Sequence, residues 1–234
     1  MIYLIIPCYN EENRLPVNEF KNYKYPQCQF LFVNDGSSDN TSQVLTDLCA
    51  DTGYESLMLQ KNQGKAEAVR LGVQHLLKTR ELCTEDWIGF WDADLSTPLF
   101  EIENFITYLS LYKNQNIEAI LGSRVYRLGA NIKRKLVRHF IGRAFATVMR
   151  IIFKLESYDS QCGAKLFSCK MAEKVFASPF VSRWIFDVEI LLRSEGSQLI
   201  EYPVQQWIDV DGSKITSKET FRIISDILKV YRAY

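Results

Sequence analysis

At 234 residues, with 47% hydrophobic and 24% charged residues, the chain can bury a sizeable core and is long enough for one large α/β domain, which excludes disorder as its general state. Its 28 basic and 28 acidic residues cancel, so no global field argues for nucleic acid as a partner. The six cysteines (Cys8, Cys28, Cys49, Cys83, Cys162 and Cys169) show neither a Cys-x-x-Cys pair nor a finger-like partner histidine, and read as reduced cytosolic thiols.

The N-terminal run Ile2-Tyr3-Leu4-Ile5-Ile6-Pro7 is too short for a signal peptide and lacks its basic start and cleavage site, so it reads as the first strand. No uninterrupted apolar stretch reaches the roughly eighteen residues of a spanning helix, and the chain as given is not expected to be an integral membrane protein. The first strand stops at Pro7-Cys8-Tyr9-Asn10-Glu11-Glu12, where proline and a polar cluster open a loop. Phe30-Leu31-Phe32-Val33 then meets Asn34-Asp35-Gly36-Ser37-Ser38-Asp39, followed by Val44, Leu45 and Leu48 at helical spacing. Ser56 to Leu59 precedes Lys61-Asn62-Gln63-Gly64-Lys65 and a helix carrying Ala66, Val69, Val73, Leu76 and Leu77.

The fourth such unit is the one on which the reading turns. Trp87 to Trp91 is an apolar run of strand length, as expected of a parallel strand covered on both faces. Asp92 and Asp94 follow at once, and a turn there lets both converge on one hard cation and the phosphates it carries. Pro98 suits the first turn of a helix with Thr97 as its cap. An Asp-x-Asp triplet alone is often only a solvated turn; the surrounding strand-turn-helix units give it weight. Alternating strands and helices predict a mostly parallel central sheet flanked by helices, with the polar turns on one edge. No Gly-x-Gly-x-x-Gly follows a strand, and Gly64-Lys65 lacks the spacing and hydroxyl of a P-loop, so dinucleotide and P-loop readings lose ground.

Beyond a fifth strand, Ala119 to Gly122, the character changes. From Ala119 through Leu155 no acidic residue occurs, while Arg124, Arg127, Lys133, Arg134, Lys135, Arg138, Arg143, Arg150 and Lys154 supply only positive charge. Leu136, Phe140, Phe145, Val148 and Ile152 follow helical spacing, which predicts an appended basic amphipathic helix over 132–154. Such a helix either lies on anionic lipid or packs on the core with a solvated basic edge. The tail carries Asp159-Ser160-Gln161-Cys162-Gly163-Ala164-Lys165-Leu166-Phe167, then Arg183-Trp184-Ile185-Phe186-Asp187-Val188-Glu189, then Asp211-Gly212-Ser213-Lys214 and a final helix from about Ser217.

Together these strings resemble family 2 glycosyltransferases of the GT-A nucleotide-diphospho-sugar transferase fold, nearest to the dolichyl-phosphate β-glucosyltransferases and their bacterial polyprenyl-phosphate relatives. The resemblance spans nearly the whole chain, from Ile6 to Gly212. It implies a single domain, with residues 1–123 as the nucleotide-sugar half and 124–234 as the acceptor half. It further implies that Pro7, Tyr9 and Glu11 line the nucleotide pocket, that Val33 and Asp35 hold base and ribose, and that Asp92, Ala93 and Asp94 hold the diphosphate with Mg²⁺ or Mn²⁺ on Asp92 and Asp94. Lys214 would reach the donor phosphates, and Ser96 stands where mannosyl relatives carry glutamine. Arg124 and Arg138 match arginines that contact the acceptor phosphate, whereas Gly142 stands where relatives often place a serine. Relatives commonly carry membrane helices outside this domain, so membrane contact is expected from the basic helix, peripherally on a cytoplasmic face.

The activity so implied is inverting transfer of glucose from UDP-glucose to a polyprenyl phosphate. A phosphate monoester with a second pKa of about 6 is largely dianionic at neutral pH and needs no strong base, which leaves Arg124 and Arg138 as positioning groups. A sugar hydroxyl acceptor would need a base, with Asp187 or Glu189 the candidates and helix-start capping the plainer role for Asp187. Core packing is the plainer role for Trp184 and Phe186, and neither His75 nor His139 has a partner carboxylate in a polar cluster. Two other readings stand beside this one: the same donor with a soluble glycan acceptor, and a non-catalytic nucleotide-sugar or nucleic-acid binder using the basic segment as a clamp.

Overall fold

The computed structural model describes residues 1–134, 136–210 and 217–234, with the side chains of 136–139, 141 and 217–222 left aside. In chain order the elements begin with β1 (Ile2–Cys8), α1 (Val17–Asn22), β2 (Cys28–Asn34), α2 (Thr41–Thr52), β3 (Glu55–Met58), α3 (Lys65–Thr79), β4 (Trp87–Trp91) and α4 (Glu101–Ser110). They continue with β5 (Ile117–Ser123), β6 (Asn131–Lys133), α5 (Leu136–Phe153), β7 (Ala164–Ser168), α6 (Cys169–Val175), α7 (Phe186–Arg193), β8 (Gln198–Pro203), β9 (Gln206–Ile208) and α8 (Ser217–Ala233). These form two compact units interleaved in sequence, Met1–Leu95 with Gly163–Pro179, and Ser96–Cys162 with Phe180–Tyr234.

In the first unit the strands lie in the order β3-β2-β1-β4-β7. The first four run parallel, and β7 runs antiparallel to β4, with Trp87 opposite Ser168 and Trp91 opposite Ala164. Of the parallel strands, β1, β2 and β4 are largely apolar because both faces are covered, whereas the outer strand β3 is only half-covered: Leu4, Ile5, Ile6, Phe32, Phe90 and Trp91 are all fully buried. On one edge of β2, Phe20 of α1 meets Phe30 and Phe32 edge-on at centroid distances of 5.3 and 5.0 Å. Parallel strands send their polar turns to one edge. The reversed direction of β7 brings its beginning, not its end, to that same edge, and this places Gly163 beside the end of β4.

In the second unit β5 pairs in parallel with β8, and β6 with β9. Met149, Leu155, Ile185, Val188 and Val230 form a buried cluster joining α5, α7 and α8. Two expectations on element bounds are corrected. The basic helix begins at Leu136 and not at 132, because Ile132 is buried in β6 opposite Trp207 of β9. Pro98 and Thr97 do not open α4: residues 98–100 form a preceding turn, closed by Glu101 N–H to the Pro98 carbonyl at 3.1 Å, and the helix starts at Glu101 without a side-chain cap. Its start is held instead by the buried Glu101 carboxylate, which accepts from Gln206 N–H at 2.7 Å and Tyr202 O–H at 3.2 Å. Among the described residues no helix is long and apolar enough to cross a membrane.

Candidate active site

The edge of the first unit is built from loops that hold one another. Asn10, in a left-handed conformation (φ 53°), accepts from Ser38 N–H at 2.9 Å, and Glu11 N–H donates to the Thr41 hydroxyl at 2.8 Å. Asn34 accepts from the Ser37 amide and hydroxyl, an Asx-type turn closing the stretch after β2. Gly36 has φ 63°, and a Cβ there would lie 2.6 Å from both the Asn62 nitrogen and the Lys61 Cα, so only glycine lets the chain after β3 cross this turn. Asp35 is 2% exposed, and its carboxylate accepts from Gln63 N–H and Gly64 N–H, both at 2.7 Å, and from the Asn62 amide at 3.0 Å. These bonds of Asp35 fix the approach to α3. Val33 is fully buried beneath it, Pro7 is half-buried and Tyr9 is exposed.

The turn after β4 carries the acidic pair. Asp92 and Asp94 are half-buried, Ala93 between them is buried, and Leu95 takes a left-handed φ of 50° to turn the chain. Asp92 N–H donates to the Gly163 carbonyl at 3.0 Å, and its carboxylate receives the Lys65 ammonium from the first residue of α3. A Cβ on Gly163 would lie within 2.5 Å of the whole Asp92 carboxylate, so glycine here keeps the space that the carboxylate fills. Glu11 faces the same charges. Burial, with Asp94, Asp39 and Asp92 adding to it against Arg14, pushes its carboxyl above the ordinary 4.5. Its Oε2 is buried without a hydrogen-bond partner. Among the described residues no group of three or more potential metal ligands lies together, and Arg14 Nε lies 3.8 Å from Glu11 Oε2; the pair Asp92 and Asp94 still fits a hard divalent cation of the Mg²⁺ class, which uses one or two protein carboxylates and completes its shell with water and phosphate oxygens. Lys65 already shows that a cation sits favourably on Asp92.

In the second unit Arg124 follows β5 and is gripped by Asp159: Nε to Oδ2 and Nη2 to Oδ1, both 2.7 Å, with the Arg124 N–H also donating to Oδ2 at 3.0 Å. Asp159 is oriented in turn by Glu201, which accepts its N–H at 3.0 Å. The guanidinium lies 5.3 Å from the Trp207 ring centre, and that of Arg134 approaches the same indole at 5.8 Å. Ser96 is buried, and its carbonyl accepts Ile208 N–H at 2.9 Å. Asp187, 6% exposed, lies in the first turn of α7, where its charge complements the positive end of the helix dipole. Glu189 is fully buried and accepts from Val181 N–H at 2.9 Å and Ser182 N–H at 2.6 Å, so it serves the loop before α7. Phe186 is buried and Trp184 is 41% exposed. Lys214 lies outside the described residues, as does the side chain of Arg138. Lys65, Gly163 and Asp159 had been given no site role from sequence; each was visible only as part of a polar string.

A family model described as Glycosyl transferase family 2 matches residues 3–176. The chain belongs to this family. Among curated relatives, the dolichyl-phosphate beta-glucosyltransferase of Trichomonas vaginalis is 31% identical over 97% of this chain and 72% of its own length. That of Saccharomyces cerevisiae is 31% identical over 99% of this chain and 74% of its own. Among solved structures, glucosyl-3-phosphoglycerate synthase from Mycobacterium tuberculosis, in complex with Mn²⁺, UDP-glucose and phosphoglyceric acid, superposes with a TM-score of 0.64 at 14% identity, covering 99% of this chain and 80% of that one. At that identity the likeness shows the fold, and this family 2 glycosyltransferase has the expected GT-A architecture, a mostly parallel sheet flanked by helices.

Proposed function

We propose that this family 2 glycosyltransferase transfers glucose from UDP-glucose to a polyprenyl phosphate of the dolichyl type, with inversion at the anomeric carbon. The observation that carries the reading is the match, over nearly the whole chain, to dolichyl-phosphate beta-glucosyltransferases. In this reading residues 1–123 serve chiefly the donor and 124–234 the acceptor. Pro7, Tyr9, Glu11, Val33 and Asp35 line the nucleotide site, and Asp35 also holds the 62–64 backbone that leads Lys65 to Asp92. Asp92 and Asp94 hold Mg²⁺ or Mn²⁺ beside Ala93, and the ion when bound neutralises charge on the departing diphosphate. Lys65, and Lys214 from its polar loop, add fixed positive charge toward the same leaving group.

Arg124 is a positioning group: its fork is fixed by Asp159 and presents a planar cation to phosphate oxygens, with Arg138 as a second arginine for the same anion. The acceptor oxygen attacks as an already ionised phosphate, so no proton has to be moved to a protein base. The bonds made by Glu189 support leaving it out of the chemistry, and Asp187 is needed as a base only if the acceptor is a hydroxyl.

For the lipid, α5 presents Phe140, Val148 and Ile151 at 69%, 46% and 72% exposure beside Arg150 and Lys154, an apolar stripe flanked by cations that suits the anionic headgroup layer of a cytoplasmic membrane face. Liposome co-sedimentation without preference for anionic lipid would count against this part. The test of the whole is UDP release from a panel of nucleotide sugars with Mg²⁺ or Mn²⁺, with and without a short polyprenyl phosphate, for the wild type and Asp94→Asn. Metal-dependent release from UDP-glucose, stimulated by the lipid phosphate and lost in Asp94→Asn, is expected. Turnover indifferent to the lipid would replace the acceptor by a soluble glycan, and no turnover with any sugar would leave a binding protein.

A further inference from the structure

Lys65 is the first residue of α3, at the positive end of the helix dipole, where a cation is the disfavoured charge. Glu67, the acid of the same turn, is committed to Arg70, whose Nε donates to Oε2 at 2.8 Å and Nη2 to Oε1 at 2.5 Å. Counter-charge for Lys65 comes from a different element. Its ammonium is paired with Asp92 Oδ1 and lies 5.6 Å from the ring centre of Phe90, two residues earlier in β4.

The chain that delivers Lys65 is fixed before the helix begins. Gly64 takes a φ of 93°, and the Asp35 carboxylate holds the Gln63 and Gly64 N–H groups and the Asn62 amide, so the lysine is aimed at Asp92 by its own backbone. The ion pair itself is open to water, with 37% of each side chain exposed, which makes it exchangeable rather than locked. Asp92 is half of the acidic pair. A divalent ion on its Oδ1 needs the position in which the ammonium stands, and two cations side by side on one carboxylate repel.

We propose that Lys65 is a built-in competitor of the divalent cation at Asp92, so that the metal binds well only together with a nucleoside diphosphate, whose phosphate oxygens give the displaced ammonium another anion. The inference rests on the reading of Asp92 and Asp94 as the metal pair and goes beyond it. Lys65 becomes the residue that couples the two ligands: it weakens a metal that arrives alone, and by linkage the metal and the diphosphate each tighten the other.

Mn²⁺ binding to the full chain, read by electron paramagnetic resonance of the free ion with and without UDP, tests this without turnover. Lys65→Met, which keeps the reach of the side chain and removes its charge, is expected to bind Mn²⁺ about 3- to 10-fold more tightly than the wild type when UDP is absent. The tightening that UDP brings should shrink by about the same factor. Lys65→Gln should behave like Lys65→Met, whereas Lys61→Met, at an exposed lysine of the same loop, should change neither affinity, which separates this contact from a change in net charge. If both Lys65 variants bind Mn²⁺ alone no more tightly than the wild type while Asp92→Asn abolishes binding, or if Lys61→Met gains as much, the inference is overturned and Lys65 only steadies the acidic turn. If Asp92→Asn holds Mn²⁺ as the wild type does, with and without UDP, the metal reading itself falls and this inference with it.

Discussion

Replacing Gly163 by alanine puts a single methyl group against the acidic pair. The added carbon would meet Asp92 Oδ1 at 2.5 Å, and Cγ and Oδ2 closer still, whereas ordinary contact begins near 3.4 Å. The carboxylate must therefore retreat by at least about 0.9 Å at its most distant atom. The backbone cannot absorb the shift, because Asp92 N–H and the Gly163 carbonyl are bonded to each other at 3.0 Å and both strands are paired there. Rotation of the Asp92 side chain remains, and it breaks the contact with Lys65. A displacement of about 1 Å at a site that orients reacting groups costs on the order of a hundredfold, so kcat/KM for UDP-glucose with Mn²⁺ should fall about that much, roughly 2.7 kcal/mol of transition-state stabilisation. Steady-state UDP release, with circular dichroism and the melting temperature as folding controls, reads the effect. A folded Gly163→Ala enzyme with wild-type kcat/KM and unaltered Mn²⁺ dependence would refute the argument that Asp92 works from this position.

Asp159→Ala strips a nearly buried arginine of its fork and should cost about 3 kcal/mol in urea denaturation, whereas a loss below 1 kcal/mol would mark the pair as a surface-like one. Glu189→Gln should leave kcat within a few-fold of wild type per folded molecule, since its oxygens serve Val181 and Ser182; loss of turnover without loss of stability would restore it as a base. Burial raises the Glu189 carboxyl above 4.5, so the folded chain holds this proton more tightly than the unfolded one. Its contribution to stability is therefore full below about 4.5, is lost as pH rises through the raised value and stays flat above it. Glu189→Gln should remove that step, and denaturation curves for the two proteins that run parallel from pH 4 to 8 would contradict the assignment. In alkylation at pH 8 followed by mass spectrometry, exposed Cys83 should react first and Cys169 slowly, its thiol pushed up to about 11 chiefly by burial with Asp86 adding to it. Buried Cys8 and Cys162 should stay unmodified in the native state, and early labelling of either would show the edge of the sheet opening.

The central parallel strands were legible because strands covered on both faces are apolar without alternation, and the apolar run Trp87 to Trp91, ended by Asp92, has the bounds of β4. The acidic turn was legible for the same reason, as polar residues with nowhere to go but the sheet's edge. What sequence did not disclose were partners remote along the chain. Nothing in Gly163 says that its missing side chain is Asp92's space, since that follows from β7 running antiparallel, which Ala164 to Ser168 does not announce. Lys65 was weighed only against a P-loop and set aside, although its place at the start of α3 is what carries it to Asp92. The basic helix was drawn four residues too early, at 132 instead of Leu136, because Ile132 fits a helical stripe as well as it fits the strand it occupies. At Gly142 nothing in the sequence says that a side chain there would meet the Arg134 guanidinium.

The pairing of β4 with β7 also bears on how the protein is made. Residues 96–162 leave the first unit at the acidic turn and the chain returns to it at Gly163, so the carboxylate of Asp92 is seated by a strand that leaves the ribosome long after it. Closing so long an excursion costs chain entropy that no contact repays until β7 docks. During synthesis, therefore, the Asp92 carboxylate should lack its seat beside Gly163 until about residue 179 has emerged, and a chain stalled before that point would present an unfinished acidic turn.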